Sequence, residues 1–142
     1  MNRVRVRVAV YVTRGKDVLV FDHVDHPDAG TQVPAGGVES GERLEDAVIR
    51  EVTEETGLGR VTVLGSLGVQ QRPHPETGAE RVTVFYHATT TDSRDRWSHV
   101  VDSGTGDDAG LRFSCHFLPI ADCAGLLADH QDEFLTKIHD GH

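Results

Sequence analysis

Cysteine is scarce in this chain, with two in 142 residues, Cys115 and Cys123. Two thiols give neither a disulfide framework nor a zinc-ligand spacing, so they read as reduced, partly buried core residues. Long apolar runs are also missing. None approaches the roughly 20 residues needed to span a bilayer. The N-terminal MNRVRVRVAV alternates Arg with Val where a secretory signal would be continuously apolar. No membrane partner is expected, and the expected location is cytoplasmic. Basic charge is short as well: 14 Lys and Arg stand against 23 Asp and Glu, a net charge of −9. Duplex nucleic acid needs a basic face, so it is not an expected partner. A small phosphorylated ligand is not excluded, because a divalent cation can bridge two sets of negative groups.

What is present suffices for a fold. With 37% hydrophobic residues, the chain is too apolar for disorder and long enough to bury a core without a staple. A single domain over residues 1–142 is expected. Residues 3–13 alternate with period two, placing Val4, Val6, Val8 and Val10 on one face and Arg3, Arg5 and Arg7 on the other. Arg14–Asp17 reads as a turn into a second strand over 18–22. Residues 33–42, VPAGGVESGE, form a tight loop or short hairpin, and 43–56 a helix stopped by Gly57. Strands follow over 60–72, with a bend at Gly65 or Gly68, over 81–90 and over 111–120. Residues 91–110 read as a long polar loop, and Asp122 to His139 as a terminal helix. The pattern predicts an α/β fold, a mixed sheet with helices packed on it.

The informative segment is LEDAVIREVTEET, residues 44–56. At about 100° per residue, Leu44, Ala47 and Val48 share one face, and Glu51, Glu54 and Glu55 continue it. A solvated acidic face would lie opposite the apolar stripe; this one extends it. Glu51 and Glu55 form a like-charge i,i+4 pair, and all three sit in the C-terminal half, where the helix dipole disfavours negative charge. Arg50 offsets part of this through its i,i+4 pair with Glu54. Three such carboxylates point to a cation, and hard oxygen donors select Mg²⁺, Mn²⁺ or Ca²⁺ over zinc. The competing reading is an acidic surface helix. Gly36 and Gly37, just before this helix, permit a close backbone approach to a ligand or metal, or simply serve a turn.

Reading from Gly36, GGVESGERLEDAVIREVTEETGL satisfies G-x5-E-x7-R-E-U-x-E-E-x-G-U at every position, U being bulky and apolar. Gly36, Glu42, Arg50, Glu51, Val52, Glu54, Glu55, Gly57 and Leu58 fill the pattern. The segment resembles the Nudix box of the Nudix hydrolases. The resemblance implies a Nudix-type α/β/α sandwich, a mixed sheet with a catalytic helix and a C-terminal helix. It also implies Mg²⁺- or Mn²⁺-dependent hydrolysis of a phosphoanhydride in a nucleoside diphosphate-linked substrate. By the same resemblance Glu51, Glu54 and Glu55 are metal ligands, joined by the Ala35 carbonyl, and Glu51 is one candidate general base. Arg50 holds a Glu in position, and Glu42 plays a secondary role. The other reading is a catalytically silent nucleotide-sensing domain that kept the fold.

Outside the box the signal thins. The expected partner is a small nucleotide, of ADP-ribose or nucleotide-sugar type or a nucleoside triphosphate. Gly36 and Gly37 are expected to approach it. Arg72 and Arg81, flanking the PHPETGAE turn, are candidates to bind it, as are Arg5 and Arg7. A late acid would serve as base or ligand, with Glu80, Asp92, Asp95, Asp102, Asp107 and Asp108 available. Trp97 would either stack on a base or pack its loop down. The exposed edge of the Arg/Val strand would offer a surface for a homodimer.

Overall fold

Alternation of Val with Arg, Ala and Tyr builds the first strand, and its two faces carry two cores. The computed structural model describes residues 4–101 and 110–138. Strand β1 is Arg5–Arg14 and β2 is Asp17–His23; between them Gly15 takes φ +62° and pairs Arg14 with Asp17. A three-residue strand, β3 (Ala35–Gly37), precedes the helix α1 (Leu44–Thr56). Then come β4 (Val61–Gln71), β5 (Arg81–Thr90), β6 (Arg96–Val100) and β7 (Arg112–Pro119), closing on one helical turn, α2 (Ile120–Cys123).

The seven strands form one sheet in the order β4-β5-β1-β2-β7-β6, with β3 also paired to β1. Only β1 and β5 run parallel, so the sheet is mixed. Register shifts in β4 fall at Gly65 and Gly68, where the bend is expected. Beyond the hairpin β1 and β2 part, and residues 32–38 enter the gap. Phe21 and Gln32 exchange backbone hydrogen bonds of 2.9 Å, and Val10 N donates to Pro34 O at 3.0 Å. The expected glycine loop is therefore partly a strand, laid against Arg7–Ala9.

On one face Ala47, Val48, Val52 and Leu58, from α1 and the residues just after it, pack with Val8, Val10, Val12, Leu19, Phe21 and Phe113. Burying each such Val or Leu side chain stabilises the fold by about 1.5–3 kcal/mol. On the other face Cys123, Leu127 and Leu135 pack on Ala9, Tyr11, Val18, Val20 and Phe85. Both cysteines are buried and unbridged. Among the described residues no helix is long and apolar enough to cross a membrane.

Four expectations need correction. The terminal helix over 122–139 is instead α2 followed by 3₁₀ turns at Ala128–His130 and Leu135–Lys137, the last residue of that span lying outside the described ones. Gly125 at φ +77° breaks the helix. The backbone then finds tertiary partners: Ala128 N donates to Thr31 O at 2.9 Å, and Val33 N to the Gln131 side chain at 2.8 Å. The polar stretch 91–110 contains β6, an edge strand of alternating exposure. Val4 and Val6 are 45% and 43% exposed, because the α1 layer covers β1 only from Val8 onward. Finally, β1 is an interior strand between β5 and β2 with β3, so its edges are already paired and offer no dimer surface.

Candidate active site

Helix α1 carries its carboxylates at an end that must be capped. Gly57, in the left-handed region at φ +69°, donates its N–H to Thr53 O at 2.9 Å. Three side chains from residues 94–99 meet the remaining carbonyls. Trp97 Nε1 donates to Thr56 O at 2.7 Å, His99 Nε2 to Glu54 O at 2.9 Å, and Arg94 Nη2 to Gly57 O at 2.9 Å. These donors and the Arg94 charge oppose the unfavourable dipole end. Trp97 is thus a helix-capping residue packed beside Phe117, with the Arg94 guanidinium 4.6 Å over its ring.

Glu51 and Glu55 lie on the buried stripe, 7% and 5% exposed, beside Ala47, Val48 and Val52. A Cβ at position 36 would fall on the Glu51 carboxylate, so any side chain there would displace that group. Glu55 Oε1 accepts the Ala35 N–H at 2.9 Å. Arg50 ties the rest together. Its Nε and Nη2 donate to the two Glu42 oxygens at 2.8 and 2.9 Å, and Nη2 also reaches Gly37 O at 2.8 Å. Its Nη1 donates to Glu51 Oε1 at 2.8 Å and to Glu54 Oε2 at 3.3 Å. This two-toothed grip holds the Glu42 carboxyl down at about 2. Burial pushes the Glu51 carboxyl up to about 7, although Arg50 pulls the other way.

One guanidinium thus lies within ion-pair distance of four carboxylates, Glu39 at 3.6 Å besides Glu42, Glu51 and Glu54, and negative charge is left over. Among the described residues no three Asp, Glu, His or Cys side chains form a ready-made ion cage. Arg50 stands between Glu51 and Glu54, and Glu55 leans on the Ala35 amide. The donor chemistry nevertheless suits a hard divalent cation: carboxylate oxygens only, a surplus of negative charge, and a glycine strand pressed against the Glu51 carboxylate.

The arginines outside the box divide. Arg5 reaches back over Gly37, its Nη2 2.8 Å from where a Cβ would stand. Burial lowers the pKa of Arg7, as does the charge of Arg81, while the charges of Asp129 and Glu55 raise it. Arg81 is buried and its Nη2 binds both Asp129 oxygens at 3.0 Å. Arg72 is exposed, and its backbone N–H donates to Arg81 O in the hairpin at 3.2 Å. A cavity of about 380 Å³ lies within this hairpin, lined by Gln71, Arg72, Pro73, Gly78, Glu80 and Arg81.

Two of the three late acids among the described residues are engaged, and the third, Glu80, lines the hairpin cavity. Asp92 binds Arg94 and the Gly59 amide, and Asp95 binds Arg14. The Arg94 guanidinium holds the Asp92 carboxyl well below the usual range. Asp102, Asp107 and Asp108 lie outside the described residues. Asp129 escapes sequence reasoning, because it falls in a stretch that reads as helix. So does Gln70, which donates to His130 O at 3.0 Å and to Glu133 Oε1 at 2.8 Å.

Comparison with known proteins supplies an independent line. The model of the NUDIX domain family matches residues 1–136. The NAD-capped RNA hydrolase NudC of Salmonella agona (strain SL483) is 40% identical over 70 residues, 49% of this chain and 27% of that protein. The chain thus spans about a quarter of the length of the curated relatives it matches. A MutT NUDIX hydrolase from Burkholderia pseudomallei superposes with a TM-score of 0.70 at 23% identity, covering 97% of this chain and 100% of that one. A C. elegans Ap4A hydrolase superposes with a TM-score of 0.69 at 16% identity, with 94% of each chain covered. The structural likenesses bear on the fold.

Proposed function

Because the chain belongs to the NUDIX domain family, we propose that it is a metal-dependent pyrophosphohydrolase, one domain over residues 1–142, acting on a small nucleotide. The observation that carries this reading is the Arg50 network. One guanidinium holds Glu42, Glu51 and Glu54 in a single array beside the glycine strand, with negative charge in excess. A solvated acidic helix would not bury Glu51 and Glu55 on its apolar stripe.

In this reading Glu51, Glu54, Glu55 and the Ala35 carbonyl would hold Mg²⁺ or Mn²⁺, which would supply neutralisation of phosphate oxygens and a lowered pKa of bound water. The chain's own residues supply the rest. Arg50 fixes the array, with Glu42 holding it in turn from the other side. Glu51, whose carboxyl burial raises in the metal-free chain, is also one candidate general base. Gly36 and Gly37 let the strand approach the substrate closely. Arg7 and Arg81 supply positive charge for phosphate oxygens beyond the reacting one.

The substrate is a nucleoside triphosphate or a nucleoside diphosphate linked to another group. NudC, named for NAD-capped RNA, adds NAD to the panel. The test is a set of nucleoside triphosphates, ADP-ribose, nucleotide sugars and NAD, incubated with Mg²⁺ or Mn²⁺ and followed by product identification. Release of phosphate, pyrophosphate or a nucleoside monophosphate that stops in EDTA is the expected result. Tight nucleotide binding with no turnover in either metal would replace this reading with that of a silent sensor.

A further inference from the structure

Arg81 opens β5 with its side chain only 6% exposed. A buried guanidinium needs its donors satisfied. Here Nη2 donates to Pro73 O at 3.3 Å and to both oxygens of Asp129 at 3.0 Å, while Nε has no partner among the described residues and no solvent. An anion built for this guanidinium would span Nε and Nη2 as a fork. Asp129 crowds both oxygens onto one nitrogen and leaves the other bare.

Asp129 is also held there against its backbone preference. Asp129 and His130 lie consecutively in the left-handed region, at φ +55° and +54°, a conformation that costs non-glycine residues on the order of 1 kcal/mol each. Positive charge meanwhile exceeds what Asp129 answers. Arg5 is the register partner of Arg81 on β1, and Arg7 lies two residues along the same face. Arg7 feels the charges of Arg81 and Asp129 and also that of Glu55 on the carboxylate helix. Guanidinium charge therefore lies within electrostatic reach of both the helix carboxylates and Asp129.

We propose that Arg81, with Arg7, binds a phosphate group of the substrate beyond the bond that is cut, and that the Asp129 carboxylate fills this site until the phosphate displaces it. The proposal deepens the hydrolase reading and rests on it for the word substrate. A tetrahedral phosphate can take Nε and Nη2 together, which Asp129 does not. Displacing a carboxylate also favours the most highly charged competitor. A free terminal phosphate, carrying about −1.5 to −2 at neutral pH, outcompetes an esterified one, so the site selects substrates that end in an unesterified phosphate.

The test uses inorganic pyrophosphate as the probe, in EDTA, with binding measured by calorimetry on the full chain. Asp129→Asn should tighten the Kd by about tenfold, as removing an internal competitor present nine-tenths of the time does. Adding Arg81→Gln should abolish that gain. In the unmutated chain the Arg81 Nε–H resonance should shift as pyrophosphate saturates, a readout that survives if a variant fails to fold. Equal affinity for the unmutated chain and Asp129→Asn overturns the proposal, and so does an Arg81 Nε–H signal unmoved at saturation. Neither readout involves turnover. Pyrophosphate binding through Arg81 in a chain that hydrolyses nothing would refute the hydrolase reading alone. Turnover with Arg81 silent would refute this proposal alone.

Discussion

Replacing Glu51 with Gln should stabilise the metal-free chain while destroying its activity. Burial holds the Glu51 carboxyl at about 7 in place of the ordinary 4.5. At about 1.4 kcal/mol per pH unit, keeping that charge buried costs the folded state on the order of 3 kcal/mol at pH 8. The sign follows from the direction of the shift. Below pH 4.5 the group is neutral in both folded and unfolded chains and nothing is lost. Between 4.5 and about 7 the unfolded chain ionises first, and stability drains as pH rises. Glutamine fits the same space and still accepts the Arg50 Nη1 hydrogen bond, and the ionic pull of Arg50 is already counted within the net shift. The gain at pH 8 is then about 3 kcal/mol, a rise in Tm of roughly 6–12 °C for a chain of this size. Thermal or urea unfolding of both proteins in EDTA, at pH 5 and pH 8, measures it. The reasoning fails if the Gln variant is no more stable at pH 8, or if the difference is the same at both pH values.

Three further outcomes are expected. Glu54→Gln and Glu55→Gln should each lower kcat by at least about a hundredfold, roughly 2.7 kcal/mol of barrier; steady-state rates near those of the unmutated chain in both would sink the metal-ligand assignment. Gly36→Ala drives a methyl into the Glu51 carboxylate and should destabilise the fold by about 1–3 kcal/mol along with most of the activity, read by urea unfolding and a rate assay. Trp97→Phe keeps the ring but removes the N–H that meets Thr56 O. It should cost about 1 kcal/mol in the unfolding midpoint, and an unchanged midpoint would show that the cap contributes nothing.

The parts of the fold legible in the sequence are those where one periodicity dominates. The β1 alternation, the apolar stripe of α1 and the glycine stop at Gly57 place those elements to within about two residues. The carboxylate stripe is legible for the same reason, since a helix period alone puts Glu51 and Glu55 on the buried side. What escaped depends on tertiary partners. Cys123, Leu127 and Leu135 are buried at spacings a helix would also satisfy, yet their segment is held by Tyr11 and Thr31, and by Val33 pairing with Gln131. Strand β6 is one-sided and polar, and it is recognised only by its pairing with β7. The Arg81–Asp129 pair joins residues far apart in the chain and carries no local signal.

The indole, imidazole and guanidinium that seize the end of α1 have a mechanical consequence. The helix is thereby anchored at the end bearing its functional side chains, in addition to Ala47 and Val48 in the core and the Arg50 hydrogen bond to Gly37 O nearer its start. A rod clamped at that end moves least around Glu54 and Glu55. Geometry that must hold to fractions of an ångström therefore sits where the rod moves least, and loosening the sheet margin at residues 94–99 should blur it without touching a single carboxylate.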